Sequence, residues 1–469
     1  MWADLARRAN RLVPDVSVAA VADALDYLCL AQLYLRDNPL LARPLTPADV
    51  KTQPAGHWGV CPPVNRMLAA LGPLQAAVPD GYELHVLHGA GHAGPSALAH
   101  AYLTGRLGHP EPDGLPAPRG CVAASAQVAA HAAGRPFAQV VPEVLRARAE
   151  QGPFRVFSPD ELASNRLDLT DEHGRPVRWA VEVLSEELCH AWAQGYTETV
   201  RHALVATYEA FAPLSLSLIQ QQLKHRSVRR HAGLAPLPSL VYLLTSLGWH
   251  NTFTHQNPGL TTALLAGGDP TLHVLTPADP ARTAAALTFA LRKLDRCTIV
   301  IADKHTNVHH PLETLDEELR HGIAIWPHLA HPGPGEPDLI LASAGDLPAG
   351  ALTTLARLLR TERPGLRLRY VHVHDLTVLA EDGNRPLALA PEAFVRHFGT
   401  RAPIILATSG HPADVHALLG RRHPAPDLPS SATATPGAPS PRSTSDSSAA
   451  STAPACGSSP LPSPTPRRR

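Results

Sequence analysis

Residues 338–373 read DLILASAGDLPAGALTTLARLLRTERPGLRLRYVHV. The run Asp338–Ser343 is short and mostly apolar, the pattern of a buried parallel strand. Ala349–Thr361 spaces its apolar residues as a helix does, and Arg367–Val373 returns to a strand pattern. The alternation then repeats, with a strand at Pro403–Ala407 and a helix at Pro412–Leu419. Strands and helices alternating at this spacing predict a doubly wound α/β fold. Upstream, Val181–Leu184 reads as a strand entering a helix and Tyr208–Leu223 as a long helix. Leu272–Leu275 and Thr298–Ala302 read as further buried strands.

Pro/Gly-rich punctuation divides the chain. The segment GHPEPDGLPAPRG at 108–120 closes an N-terminal unit, 1–120, which is mostly helical with a strand at Glu83–His88. An Ala-rich helical linker is expected over 121–150. One α/β domain is expected over 151–330 and a second, partial one over 331–423. Residues 424–469, rich in Ser, Pro, Ala and Thr, hold few large apolar side chains and read as a disordered tail. The tail ends in Arg467-Arg468-Arg469, a solvated end or a contact for an anionic partner.

The composition excludes several classes. The 469 residues carry 41 basic and 41 acidic side chains, so no global field points to nucleic acid or an anionic membrane. Only Lys51, Lys224, Lys293 and Lys304 are lysines; the arginine, alanine and proline usage suggests a coding bias rather than chemistry. None of the six cysteines forms a Cys-x-x-Cys pair, so neither a disulfide framework nor a zinc site is read. No secretory leader and no apolar run of about 20 residues is seen. A cytoplasmic protein without nucleic-acid or membrane partners is expected. His305, His309 and His310 are expected at the surface, and no metal-ligating set is assigned.

Several motifs could carry chemistry. His57 stands in Gly56-His57-Trp58-Gly59 and His92 in Gly89-Ala90-Gly91-His92-Ala93-Gly94-Pro95. Glycines flanking a histidine let backbone approach a ligand while the imidazole handles protons. The second motif follows the strand and starts a helix, whose free N–H groups favour an anion. Glu186 opens a helix after the strand Val181–Leu184. It is either an acid placed on the helix dipole or a carboxylate at the strand ends, where open sheets bind ligands. Asn251 and His255 lie in a polar loop, 251–259, after a buried run. Lys304 ends the strand Thr298–Ala302, where an ammonium can hold a phosphate as a point charge.

Taken in order, these motifs resemble the phosphoketolases, thiamine-diphosphate enzymes related to transketolase. The resemblance also runs through Tyr34-Leu35-Arg36-Asp37-Asn38-Pro39-Leu40-Leu41, Phe157-Ser158-Pro159-Asp160-Glu161, Ser164-Asn165-Arg166-Leu167 and Leu184-Ser185-Glu186. It continues in Gly195-Tyr196, Arg201-His202, Tyr208-Glu209-Ala210-Phe211, Tyr242–Ser246 and Ala344-Gly345-Asp346-Leu347-Pro348. It covers most of residues 25–423. It implies transketolase-like doubly wound domains, with 1–120 a truncated N-terminal domain and 151–330 of the pyrimidine-binding type. The implied reaction cleaves xylulose 5-phosphate or fructose 6-phosphate with inorganic phosphate to acetyl phosphate and an aldose phosphate. The implied cofactors are thiamine diphosphate, which supplies the electron sink for carbon–carbon cleavage, and Mg²⁺. Under the resemblance Glu186 meets the aminopyrimidine and Tyr208 is an active-site tyrosine. His57, His92, Asn251 and His255 surround the sugar and its intermediate, and Lys304 binds its phosphate.

The chain also departs from that pattern. A diphosphate held through Mg²⁺ needs hard oxygen ligands, which the family carries on a Gly-Asp-Gly motif with a downstream Asn. No Gly-Asp-Gly occurs here; Gly267-Gly268-Asp269-Pro270 and Gly345-Asp346-Leu347 fall in other domains. The sequence passes from His92 through the Pro-rich break to Phe157, where the family has most of its diphosphate domain and a further histidine. The C-terminal domain is expected to be cut short as well. The family's site forms between the two domain types across a subunit interface, so a homodimer of this chain would not restore it. An isolated chain that is impaired or inactive is therefore expected, as a homo-oligomer or a hetero-oligomer with a related chain. The alternatives are a non-catalytic binding or scaffold protein and one half of a split enzyme.

Overall fold

The computed structural model describes residues 18–39, 41–52, 58–78, 93–104, 121–159, 162–245, 259–306, 308–331, 335–381, 385–419 and 422. His57, His92, Asn251 and His255, the expected strand at Glu83–His88 and the tail at 424–469 lie outside them.

The helices α1 (Val18–Tyr34), α2 (Cys61–Ala77) and α3 (Gly94–Leu103) pack on one another around Leu25, Cys29, Leu33, Cys61, Leu68 and Ala99. Asn65 and Ser96 lie inside that small core, each in contact with the Cys29 thiol. Next come α4 (Cys121–Ala132) and α5 (Phe137–Glu150), the segment expected as a linker. They are not a free-standing connection. Ala129, Phe137, Val140, Val141 and Leu145 are buried in the same core as the sheet that follows. Their apolar stripes need that cover, as an amphipathic helix does.

The first sheet is built from β1 (Phe154–Ser158), β2 (Ala180–Glu182), β3 (His202–Thr207), β4 (Leu240–Leu244), β5 (Leu272–Leu275) and β6 (Cys297–Ile301). All pairings are parallel, in the order β2-β1-β3-β4-β6-β5. Alternate residues of a strand face opposite sides. Leu204, Ala206, Val241, Leu243 and Val300 therefore pack against α4, α5 and α9 (Pro280–Ala290). Ala203, Val205, Tyr242, Leu244, Ile299 and Ile301 face α6 (Glu186–Glu198), α7 (Leu216–His231) and α8 (Gly259–Ala266). The long helix expected over Tyr208–Leu223 starts later and runs further. Pro213 lacks the N–H that an earlier start would require, and Ala212–Ser215 forms a 3₁₀ turn before α7.

After α10 (Leu315–His321), the second sheet has the order β10-β8-β9-β7. Its strands are β7 (Ile323–Ile325), β8 (Leu339–Ala344), β9 (Leu368–Val373) and β10 (Ile404–Thr408), with β7 antiparallel. The helices α11 (Asp346–Glu362), α12 (Pro391–Phe398) and α13 (Pro412–Leu419) cover it. Strands β8, β9 and β10 and helix α13 match the sequence reading to within a residue or two, whereas β7 was not expected. Helix α11 starts three residues earlier than expected, at Asp346 behind Gly345. Gly345 has φ +112°, and a Cβ there would lie 2.1 Å from Ser409 Oγ. No helix among the described residues is long and apolar enough to cross a membrane.

The seam between the sheets holds a fully buried ion network. Arg282 on α9 donates from Nη1 to Asp279 at 2.8 Å, and from Nε and Nη2 to Glu318 on α10 at 2.8 and 3.0 Å. Its guanidinium lies 4.8 Å from the ring centroid of Trp326, itself stacked on Tyr370 of β9. His310, expected at the surface, is buried here, with its ring 4.6 Å from Trp326. The error has a plain cause: an apolar neighbourhood for a polar loop residue comes from Trp326, sixteen positions downstream. Replacing Arg282 with Met leaves Asp279 and Glu318 buried without their partner. Chemical denaturation of R282M is expected to show a loss of about 3–5 kcal/mol.

Candidate functional site

The chain winds outward from β1 to β2, then reverses to lay β3 on the other side of β1. The loops leaving β1 and β3 diverge, and open α/β sheets bind ligands in the crevice at that reversal, outside the carboxyl ends of the strands. Three of the residues singled out in the sequence come to this edge. Tyr208 follows β3, Lys304 follows β6 by three residues, and Glu186 opens α6 beyond β2.

Lys304 reaches across the strand tips. Its Nζ donates to the Ser164 carbonyl at 2.6 Å and lies 4.9 Å from the centroid of the Tyr208 ring. Ser164 belongs to the loop after β1, and that loop is pinned a second time, where Thr245 Oγ1 donates to Asn165 Oδ1. Asn165 and Thr245 are fully buried at the strand ends. Tyr208 and Phe211 stack nearly parallel, with centroids 5.9 Å apart and 11° between planes. The ammonium is thus held over an aromatic face and against a neutral carbonyl.

Glu186 sits at the first position of α6, behind Ser185, whose Oγ accepts from the Leu188 N–H at 3.2 Å. The backbone carbonyl of Glu186 accepts from Ser215 Oγ at 3.1 Å. Ser215 closes the 3₁₀ turn that follows Tyr208–Phe211, so the carboxylate and the stacked pair share one local scaffold. Among the described residues, no hydrogen bond engages the half-buried Glu186 carboxylate.

Sequence reasoning missed Asp346. It opens α11, and its Oδ2 accepts from the Asp303 N–H at 2.6 Å while Oδ1 accepts from the Leu347 N–H at 2.8 Å. Asp303 immediately precedes Lys304, so Asp346 fixes the stem of the lysine loop from the second sheet. Burial, with Asp303 nearby, pushes the Asp346 carboxyl up to about 7. The signal was in Ala344-Gly345-Asp346-Leu347-Pro348, where a glycine lets a strand turn into a helix headed by an acid.

The described residues fit one half of the implied cofactor. A half-buried carboxylate and a parallel aromatic pair are the side-chain types that suit an aminopyrimidine. The diphosphate half finds no match. The sequence lacks Gly-Asp-Gly. Among the described residues, the group with metal-ligand spacing is Glu318, His372 and His374, buried at the seam rather than at this edge.

The chain is similar to known proteins. A model of D-xylulose 5-phosphate/D-fructose 6-phosphate phosphoketolase matches residues 135–293. The corresponding C-terminal and N-terminal domain models match residues 304–430 and 16–114. A "Probable phosphoketolase" of Nitrosomonas europaea is 35% identical over 57% of this chain and 37% of its own. One of Rhodopseudomonas palustris is 34% identical over 72% of this chain and 46% of its own. The chain thus spans less than half the length of these curated relatives. Among solved structures, transketolase from Leishmania mexicana superimposes with TM-score 0.44 and 16% identity, over 76% of this chain and 47% of its own.

The Asp346 carboxyl sets a pH dependence. The folded value, about 7, lies above the ordinary 3.8, so the folded state holds a proton that the unfolded chain releases. This stability is complete below the ordinary value and is lost as pH rises through about 7. Between pH 5 and 8 the wild type is expected to lose on the order of 2 kcal/mol relative to Asp346→Asn, read from urea unfolding at both pH values.

Proposed function

The chain belongs to the phosphoketolase family, and from that premise we propose that it binds sugar phosphates at the strand-end crevice but does not complete the reaction alone. The observation that carries the binding reading is the Lys304 ammonium, held over Tyr208 against the Ser164 carbonyl at the strand ends, where an anionic ligand of such a sheet sits. In this reading Lys304 takes the phosphate, and Glu186 and Tyr208 meet the pyrimidine of thiamine diphosphate. His57, His92, Asn251 and His255 are assigned to the sugar and its intermediate. The reaction class is phosphoketolase-like carbon–carbon cleavage by phosphate. The limitation rests on the absent Gly-Asp-Gly motif, which leaves the diphosphate and Mg²⁺ without their usual oxygen ligands.

A second reading has support in the same half-site. In this reading Glu186, Tyr208 and Lys304 supply a pyrimidine-and-phosphate wall, which a chain carrying a diphosphate-binding domain would close. The second reading is therefore a hetero-oligomer with a related chain, as a split enzyme or a scaffold. A cytoplasmic location fits either reading.

Purified chain with thiamine diphosphate, Mg²⁺, inorganic phosphate and xylulose 5-phosphate or fructose 6-phosphate is expected to give no acetyl phosphate above blank in a hydroxamate assay. Product at a measurable turnover would overturn the proposed incompleteness. Calorimetric titration with the ketose phosphate tests the binding itself. Replacing Lys304 with Met is expected to weaken that binding about 10- to 100-fold, the scale of a lost charged hydrogen bond. Equal affinity in the variant would remove Lys304 from the site.

A further inference from the structure

His372 on β9 and His374, two positions on, project from the same face of the chain, as alternate residues of extended backbone do. Glu318 on α10 meets them there. One ligand atom from each of the three lies within 4.8 Å of the others, and all three residues are buried. Glu318 Oε2 stands 4.0 Å from His374 Nδ1. Neither ring nitrogen of His374 has a hydrogen-bond partner, and neither does His372 Nε2. Leaving a buried polar atom without a partner is unfavourable, so three at one point require a reason.

The surroundings suit a metal ion. His372 Nδ1 lies 3.2 Å from Ser343 Oγ, which fixes the ring and leaves Nε2 turned to the cluster. Metal-bound histidines are oriented in this way by a partner on the other nitrogen. A neutral imidazole is the form that coordinates. The Glu318 carboxyl, although burial works against it, is held below the usual carboxylate range by Arg282.

Arg282 does not close the site. Glu318 Oε1 is saturated by Arg282 Nη2, Trp326 Nε1 and Thr314 Oγ1, at 3.0, 2.9 and 2.7 Å. Oε2 accepts only from Arg282 Nε at 2.8 Å, which leaves a lone pair toward His374. Two carboxylates, Asp279 and Glu318, share the one guanidinium. Glu318 and His374 also border a cavity of about 210 Å³ between the two sheets, with Lys293, Arg296, Arg320 and Asp375 on its wall. That space admits a fourth ligand.

We propose that Glu318, His372 and His374 bind a divalent transition metal of the zinc class, joining α10 to β9 across the seam. Two imidazoles and one carboxylate with a fourth position open is a donor set of that class. The closure needed is small, since side-chain rotation must bring atoms 4.0 Å apart to the separation set by metal–ligand bonds of about 2.0–2.2 Å.

The test uses the full chain, stripped with a chelator and titrated with Zn²⁺ or Co²⁺ alone. One ion per chain, a rise in Tm with Zn²⁺ and the visible absorption of four- or five-coordinate Co²⁺ are expected. His372→Ala and His374→Ala are each expected to abolish the absorption, and Ser343→Ala to weaken binding about tenfold through the ring it orients. His131→Ala, an exposed histidine on α4, should leave binding unchanged. A folded wild type that takes up neither ion overturns the proposal without any variant. So does undiminished Co²⁺ absorption in the His372 and His374 variants.

Discussion

The desolvated guanidinium of Arg282 organises the centre of the molecule. A charge with no solvent access must be met on every side, and this one is met by two carboxylates, the carbonyls of His310 and Pro311, and the face of Trp326. Each partner belongs to a different piece of chain. Asp279 caps α9 against the first sheet, Glu318 is on α10, and Trp326 stacks on Tyr370 of the second sheet. The relative placement of the two sheets is thus coupled to one polar centre. The apolar packing around it, from Leu341, Leu352 and Tyr370, is less particular about geometry.

That placement reaches the strand-end crevice through Asp346. The first turn of α11 accepts the Asp303 N–H, and Asp303 leads into Lys304. The position of the lysine is therefore set by both sheets: by β6, which carries it, and by α11, which holds its stem. The loop after β1 supplies the other anchor at Ser164. The crevice is accordingly a property of the assembled α/β unit rather than of any one loop.

Much of this was legible in the sequence, for identifiable reasons. Buried parallel strands are short apolar runs, and Leu272–Leu275, Thr298–Ala302 and the alternation after 337 carry that signal directly. Glu186, Tyr208 and Lys304 stand at strand ends, and strand ends can be read from the pattern. What failed was non-local. Residues 121–150 looked like a linker because their partner helix α9 lies far along the chain. His310 looked exposed because its cover, Trp326, comes later. The approach of Glu318 to His372 and His374 depends on α10 meeting β9, and the contact leaves no spacing signature. His57, His92, Asn251 and His255 fall outside the described residues, and their roles stand on the resemblance alone.

The contact between Lys304 and the Ser164 carbonyl has a thermodynamic side. A free lysine side chain loses about 2 kcal/mol of rotamer entropy when a ligand immobilises it. Here the side chain is already confined, by a carbonyl at 2.6 Å and a ring face at 4.9 Å. Much of that cost is met when the chain folds, so under the proposed function a phosphate would encounter a charge already in position.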